Sequence, residues 1–288
     1  MRRLFLLIAL GISVGVIAGA VAVRAESVLD ARYRIAGWER QPPVWERFAD
    51  PDRGPVLFVP ASVTGPDAPA PTALVLALPG LGGIGRPLAD GLSDAAESHR
   101  WLVLAPSPIY ERQDESFSVA DLRVDDEILQ LLDLVRRTAP RPTAQRIFVV
   151  GFSRGAQTAH RFALRHPDLV AAVASLSAGS YTMPNSELDY PLGVGHFATF
   201  NGGHVFDPVA LRSVRFLIGV GDADTSLAAV PADWNAVGGT TRVERAQRFA
   251  GALRTLAVPV RLEIFPGVGH VLTPDMLTSA EEWFAVTP

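Results

Sequence analysis

Ile147-Phe148-Val149-Val150-Gly151-Phe152-Ser153-Arg154-Gly155 decides how this chain is read. A run of apolar, strand-forming residues enters a G-x-S-x-G turn, and small residues at Ala156, Ala159 and Ala163 follow on what reads as a helix. A turn this tight leaves no room for side chains at the positions flanking the serine. Glycine at 151 and 155 lets strand and helix approach while Ser153 protrudes. The hydroxyl then stands at a helix N-terminus, where the dipole favours developing negative charge. The bare motif also occurs as an ordinary strand-to-helix turn, so the surrounding chain must support a nucleophile.

Around the elbow, strand and helix patterns alternate. Ala73–Leu78 and Trp101–Ala105 are apolar runs of strand length, with a helix-like stretch at Leu88–Glu97 between them. Between Asp121 and Thr138, apolar Val124, Ile128, Leu131, Leu132 and Val135 are spaced to share one helical face. Further on come a helix near Ala156–His166, strands at Ala171–Ser175 and Val214–Val220, a helix at Val243–Leu256, a strand at Val260–Phe265 and a last helix at Pro274–Phe284. Leu57–Val59 adds a short strand. Such alternation predicts an α/β fold, a mostly parallel central sheet with helices on both faces. In open sheets of this kind ligands bind beyond the carboxyl ends of the strands.

A serine hydroxyl attacks poorly unless a base takes its proton, and the base must be held in one tautomer by an acid. His270 stands in Phe265-Pro266-Gly267-Val268-Gly269-His270, a Gly-rich loop directly after the last strand. His99, His160 and His166 read as structural. His196 and His204 lie between Ser180 and Arg212, a segment long enough for a small cap over the pocket; they read as loop histidines, with substrate contact as the alternative. For the acid, Gly219-Val220-Gly221-Asp222-Ala223-Asp224 ends a strand with two carboxylates. Asp224 is the candidate, Asp222 the alternative, since G-x-x-D spacing fits both; the other aspartate caps the turn.

Leu78-Pro79-Gly80-Leu81-Gly82-Gly83 follows a buried strand and offers backbone donors. The N–H groups of Leu81 and of Arg154, the residue after the nucleophile, are the expected oxyanion hole. The Arg154 side chain reads as half of a structural ion pair, with contact to an acidic acyl group as the alternative. A phosphate loop is disfavoured because the G-x-G-x-x-G spacing fails and no P-loop lysine follows.

With Ser153, Asp224 and His270 in this order, residues 55–288 resemble the α/β-hydrolase superfamily. The stretch Gly151-Phe152-Ser153-Arg154-Gly155-Ala156-Gln157, with Arg165-His166-Pro167-Asp168 and Ser177-Ala178-Gly179, is similar to the polyhydroxybutyrate-depolymerase and feruloyl-esterase-like branch, near the dienelactone hydrolases. The resemblance implies a compact α/β-hydrolase fold with a small cap or no lid. It also implies cleavage of a small or polymeric carboxylic ester through an acyl-serine. Serine where dienelactone hydrolases carry cysteine argues against their activity. Pro79 replaces the histidine of the family's His-Gly-x-Gly-Gly loop, which weakens that match but leaves backbone donors in place. The rival readings are a serine peptidase of the same fold and a binding module that kept the fold and lost the reaction.

Of 288 residues, 48% are hydrophobic and 19% charged, enough apolar material for a large core. A net charge of −4 without a basic cluster in the body of the chain offers nothing to neutralise a phosphate backbone, so nucleic acid is not an expected partner. The chain has no cysteine, which excludes disulfides, thiolate zinc sites and a cysteine nucleophile. No cofactor is implied, and the ligands of a metal site are not evident.

Residues 1–25 read as an address: Met1-Arg2-Arg3 precedes 20 uncharged residues, Leu4–Val23, and then Val23-Arg24-Ala25. Both a cleaved signal peptide and a retained membrane anchor through residues 4–23 fit, and Arg2-Arg3 also resembles a twin-arginine signal. Either route places residues 26–288, read as one hydrolase domain, outside the cytoplasm, in the periplasm, the medium or tethered to the membrane.

Overall fold

The structure, a computed structural model, describes residues 54–139, 144–225 and 232–287. Its strands are β1 (Val56–Phe58), β2 (Ala73–Leu78), β3 (Trp101–Ala105), β4 (Ile147–Phe152), β5 (Val170–Leu176), β6 (Arg215–Gly221) and β7 (Val260–Phe265). They form one sheet in the order β1-β3-β2-β4-β5-β6-β7. Only β1, at the edge, runs antiparallel to its neighbour; the other pairings are parallel. The nucleophile strand β4 therefore lies at the centre, flanked by β2 and β5.

Alternate residues of β2 face opposite cores. Leu74, Leu76 and Leu78 join one cluster, and Ala73, Val75 and Ala77 join the other, as a period of two requires. The longer helices are α1 (Arg86–Gly91), α2 (Ser93–His99), α3 (Phe117–Thr138), α4 (Arg154–Arg165), α5 (Arg242–Thr255) and α6 (Pro274–Ala285). The first cluster is closed by α3, α4 and α5, through Ile128, Leu131, Phe162 and Phe249 among others. The second is closed by α1, α2 and α6, through Leu88, Ala96, Met276 and Phe284.

Helix ends follow their capping chemistry. Ser116 caps α3 by accepting the Val119 N–H, and Thr273 caps α6 ahead of Pro274, whose missing N–H costs nothing there. Thr241 and Glu244 form a reciprocal capping box at the start of α5.

One expectation changes. The single helix read over Leu88–Glu97 is two, α1 and α2, meeting at Leu92, where the Leu92 N–H turns back to Ala89 and Asp90 and the Ser93 hydroxyl donates to the Asp90 carbonyl. The segment Ser180–Arg212, long enough in sequence for a small cap, adds Tyr181, Tyr190, Val194, Phe197 and Leu211 to the core beside α3 and α4. Its polar groups hold it there: Arg161 donates to Thr182 at 2.9 Å and to Ser180 at 3.2 Å, and Arg165 to Asn201. The N-terminal address, including residues 4–23, and Trp38 and Trp45, which would pack on the domain, lie outside the described residues. Among the described residues no helix is long and apolar enough to cross a membrane.

Candidate active site

Ser153 sits at the junction of β4 and α4 with φ 54° and ψ −115°, a left-handed-side conformation that a non-glycine residue adopts only at a cost of order 1–3 kcal/mol. The elbow holds it there. The Ser153 N–H donates to the Leu176 carbonyl at 2.9 Å, tying the turn to the end of β5. A Cβ on Gly151 would collide with the Gly155 carbonyl, and one on Gly155 would collide with the Leu78 carbonyl. Both motif glycines are therefore required by close backbone approach, as the sequence suggested.

The loops after β6 and β7 meet beside this serine. Gly221 lets them do so, since a Cβ there would strike the Val268 carbonyl. His270 Nε2 lies 2.9 Å from Ser153 Oγ, and His270 Nδ1 lies 2.7 Å from Asp224 Oδ2. The three residues singled out in the sequence are thus brought together in one hydrogen-bonded line. The geometry assigns a tautomer: Nδ1–H donates to the carboxylate and Nε2 faces the hydroxyl. Phe152 stacks on the imidazole with ring centroids 5.1 Å apart, fixing its plane.

The two aspartates separate clearly. Asp224 is buried, and its second oxygen accepts from Arg242 Nη1 at 2.9 Å. Asp222 is exposed and accepts the Gly267 N–H at 2.7 Å, bracing the loop that carries His270. Asp222 therefore steadies the turn, and Asp224 alone reaches the imidazole. Arg242 was not singled out in the sequence. It opens α5, where a cation opposes the helix dipole, and a buried carboxylate partner offsets that cost. The Thr241–Glu244 capping box was the available signal, because it fixes the helix start and so the direction of Arg242.

The glycine loop after β2 lies against the elbow. A Cβ on Gly80 would stand 3.4 Å from Ser153 Cβ, so the loop passes in contact with the serine. Tyr110, fully buried, donates its hydroxyl to the Pro79 carbonyl at 2.7 Å, and the Gly85 N–H donates to Ser107 Oγ at 3.0 Å. Gly83 closes the turn by donating to Gly80 at 3.0 Å. Sequence reasoning missed both Tyr110 and Ser107, which sit more than twenty residues from the loop and follow no pattern.

The Arg154 side chain turns away from the site. Its guanidinium is buried over the Phe117 ring at 4.7 Å from the centroid and lies 3.5 Å from Asp121, so it joins a structural ion pair. Burial alone would raise the Asp121 carboxyl, but the guanidiniums of Arg165, Arg161 and Arg154 outweigh it and hold the group well below the usual carboxylate range. Burial also pulls the Arg161 guanidinium down to about 10.

The other histidines have local partners. His160 is buried, bonded to the Ala156 carbonyl at 3.1 Å and the Thr182 N–H at 3.0 Å; burial, then neighbouring Arg161, pushes its pKa well below the usual imidazole value. His166 contacts Asp125 at 2.8 Å, His99 contacts Glu281 at 3.0 Å, exposed His196 contacts Asp189 at 2.7 Å, and His204 packs edge-on against His166. Among the described residues no three His, Asp or Glu side chains converge as a metal site would need.

Comparison with known proteins agrees with this architecture. The family model for the α/β hydrolase fold matches residues 74–202, from β2 through much of the segment after β5. No curated protein matches the chain. Among solved structures, a poly(3-hydroxybutyrate) depolymerase from Bordetella parapertussis superposes with a TM-score of 0.63 at 22% identity, over 81% of this chain and 84% of that one. Poly(aspartic acid) hydrolase-1 from Sphingomonas sp. KT-1 gives 0.59 at 19% identity, over 79% and 91%. A Bacillus cereus carboxylesterase gives 0.54 at 14% identity, over 84% and 98%. Sheet order, elbow and family match give this chain the α/β-hydrolase fold, with ester-cleaving enzymes among its structural neighbours. At such identities the likeness speaks to the fold, and the activity has to be argued from the site.

Proposed function

We propose that this protein is an exported serine hydrolase that cleaves carboxylic esters through an acyl-Ser153 intermediate. The observation that carries the proposal is the unbroken line from Ser153 Oγ through His270 to buried Asp224, with the serine on an elbow at positive φ. In this reading His270 Nε2 takes the hydroxyl proton as Oγ attacks the ester carbonyl, and Asp224, held by Arg242, stabilises the imidazolium. The N–H groups of Leu81 and Arg154 receive the developing oxyanion, each worth about 10²–10³ in rate. His270 then gives its proton to the leaving alcohol. Water, activated by the same imidazole, attacks the acyl carbonyl, and its proton returns through His270 to Ser153 as the carboxylic acid leaves.

Support for an ester comes from the depolymerase and carboxylesterase neighbours and from the resemblance around Ser153 and His166 to the polyhydroxybutyrate-depolymerase branch. Support for export comes from the charged and apolar sequence of residues 1–25. The test is hydrolysis of p-nitrophenyl esters by the protein from Glu26 onward, beside Ser153→Ala. Turnover by the wild type and a fall of about 10⁴-fold or more in the variant is expected. Equal rates in the two proteins would remove Ser153 from the reaction.

A further inference from the structure

We propose that the groove between α1, α2 and α6 is the acyl subsite, built for an unbranched aliphatic acyl chain of medium length that does not end in a carboxylate. The inference rests on the acyl-Ser153 reading and adds the substrate class to it. The groove encloses about 660 Å³, a size typical of small-molecule clefts. Its near end shares walls with the candidate active site. Gly80 lines it and is also in contact with Ser153, Phe152 lines it and also stacks on His270, and Leu272 lies two residues beyond His270.

From there the groove runs between helices. Leu88, Gly91 and Leu92 line it together with Leu277 of α6. Lining residues of α6 extend from Pro274 to Glu281, a rise of about 10 Å, so a chain anchored at Ser153 has a mainly apolar wall to run along. Gly91 and Leu277 close the groove wall between α1 and α6 by direct contact: a Cβ on Gly91 would lie 2.8 Å from Leu277 Cδ1. Asp94 and Glu281 are the acidic residues in the lining, and a chain ending in a carboxylate would meet like charge there. The acyl arm is favoured over the alcohol arm because it stays bonded to Ser153 through the second step, and the groove wall at Gly80 abuts the serine itself.

The test compares kcat/KM for p-nitrophenyl acetate, octanoate and dodecanoate, and for ethyl and octyl acetate, in the wild type, Gly91→Leu, Leu277→Trp and Leu277→Ala. Burying the added methylenes predicts an octanoate-to-acetate ratio of about 10² or more in the wild type. Adding bulk to that wall from either helix should cut that ratio at least about tenfold, and Leu277→Ala should move the optimum toward dodecanoate. Two filling variants on different helices keep the test alive if one fails to fold. A flat acyl profile, a ratio untouched by both fillings, or a length preference confined to the alkyl acetates would overturn the proposal. Labelling by a fluorophosphonate separates the failures: labelled protein with any of these results sinks the subsite alone, whereas protein that neither labels nor hydrolyses any ester sinks the ester reading and the subsite with it.

Discussion

The face of the sheet covered by α3 and α4 buries charge, whereas the buried residues of α1, α2 and α6 on the other face are apolar apart from Ser279. On the first face Asp121 lies among Arg154, Arg161 and Arg165, and Tyr190 donates to it at 2.5 Å; Asp125 joins Arg165 and His166. Such a network tolerates little displacement, because any shift leaves an ion buried without its partner. It locks α3 to α4, and α4 is the helix that begins at the elbow. The second face, packed mainly through apolar side chains with His99–Glu281 and Ser279–Glu263 bonds beside them, leaves open volume beside the same serine. One face therefore fixes where the nucleophile stands, and the other is free to shape what reaches it.

The contrast can be broken most forcefully at Asp121. Replacing it with alanine removes the carboxylate shared by three guanidiniums, leaving Arg154 and Arg161 without their acidic partner, and should cost about 3–5 kcal/mol, read as a fall in denaturant midpoint or as loss of soluble protein. Leu277→Ala, on a half-buried position of the apolar face, should cost less than half as much. Equal losses at the two sites would mean that the faces are energetically alike.

A smaller effect sharpens the comparison through pH. His160 is kept neutral in the folded protein, so its folded pKa lies below the unfolded value of 6.5. Below that value the unfolded chain binds a proton that the folded one refuses, and stability falls as pH drops, by up to about 1.4 kcal/mol per pH unit. His160→Gln should be less stable at pH 7.5, having lost the bonds to Ala156 and Thr182, yet should lose stability less steeply between about pH 6.5 and 5. Parallel slopes for variant and wild type would show that this histidine is protonated in the fold. The contribution of Asp121 has the other form: its depressed pKa supplies stability that is present above about pH 4 and lost only as pH falls further.

How far the sequence reached follows from the range of the interactions involved. The elbow was legible because strand, turn and helix are contiguous, and each motif glycine answers a clash within a few residues or with the adjoining strand. Helix α3 was legible because five apolar residues repeat on one face. His270 and Asp224 could be placed because each directly follows a strand that ends at the same edge of the sheet. The choice between Asp222 and Asp224 stayed open in sequence because both share one spacing; only the path of the β7 loop, which gives Gly267 to one and His270 to the other, divides their work. Arg242, Tyr110 and the burial of residues 180–212 were hidden because each depends on a partner distant in sequence, which local periodicity does not encode. The break at Leu92 was missed because apolar spacing continues across it.

The central claim is that Ser153 is a nucleophile driven by His270 and Asp224, with Asp222 outside the relay. The most direct measurement is the rate of fluorophosphonate adduct formation, followed by intact mass, in the wild type, Ser153→Ala, Asp224→Asn and Asp222→Asn. The expected result is one adduct on the wild type, none on Ser153→Ala, a rate reduced on the order of 10⁴-fold in Asp224→Asn and by less than about tenfold in Asp222→Asn. An adduct that persists in Ser153→Ala, or an Asp222→Asn protein slower than Asp224→Asn, would contradict the account.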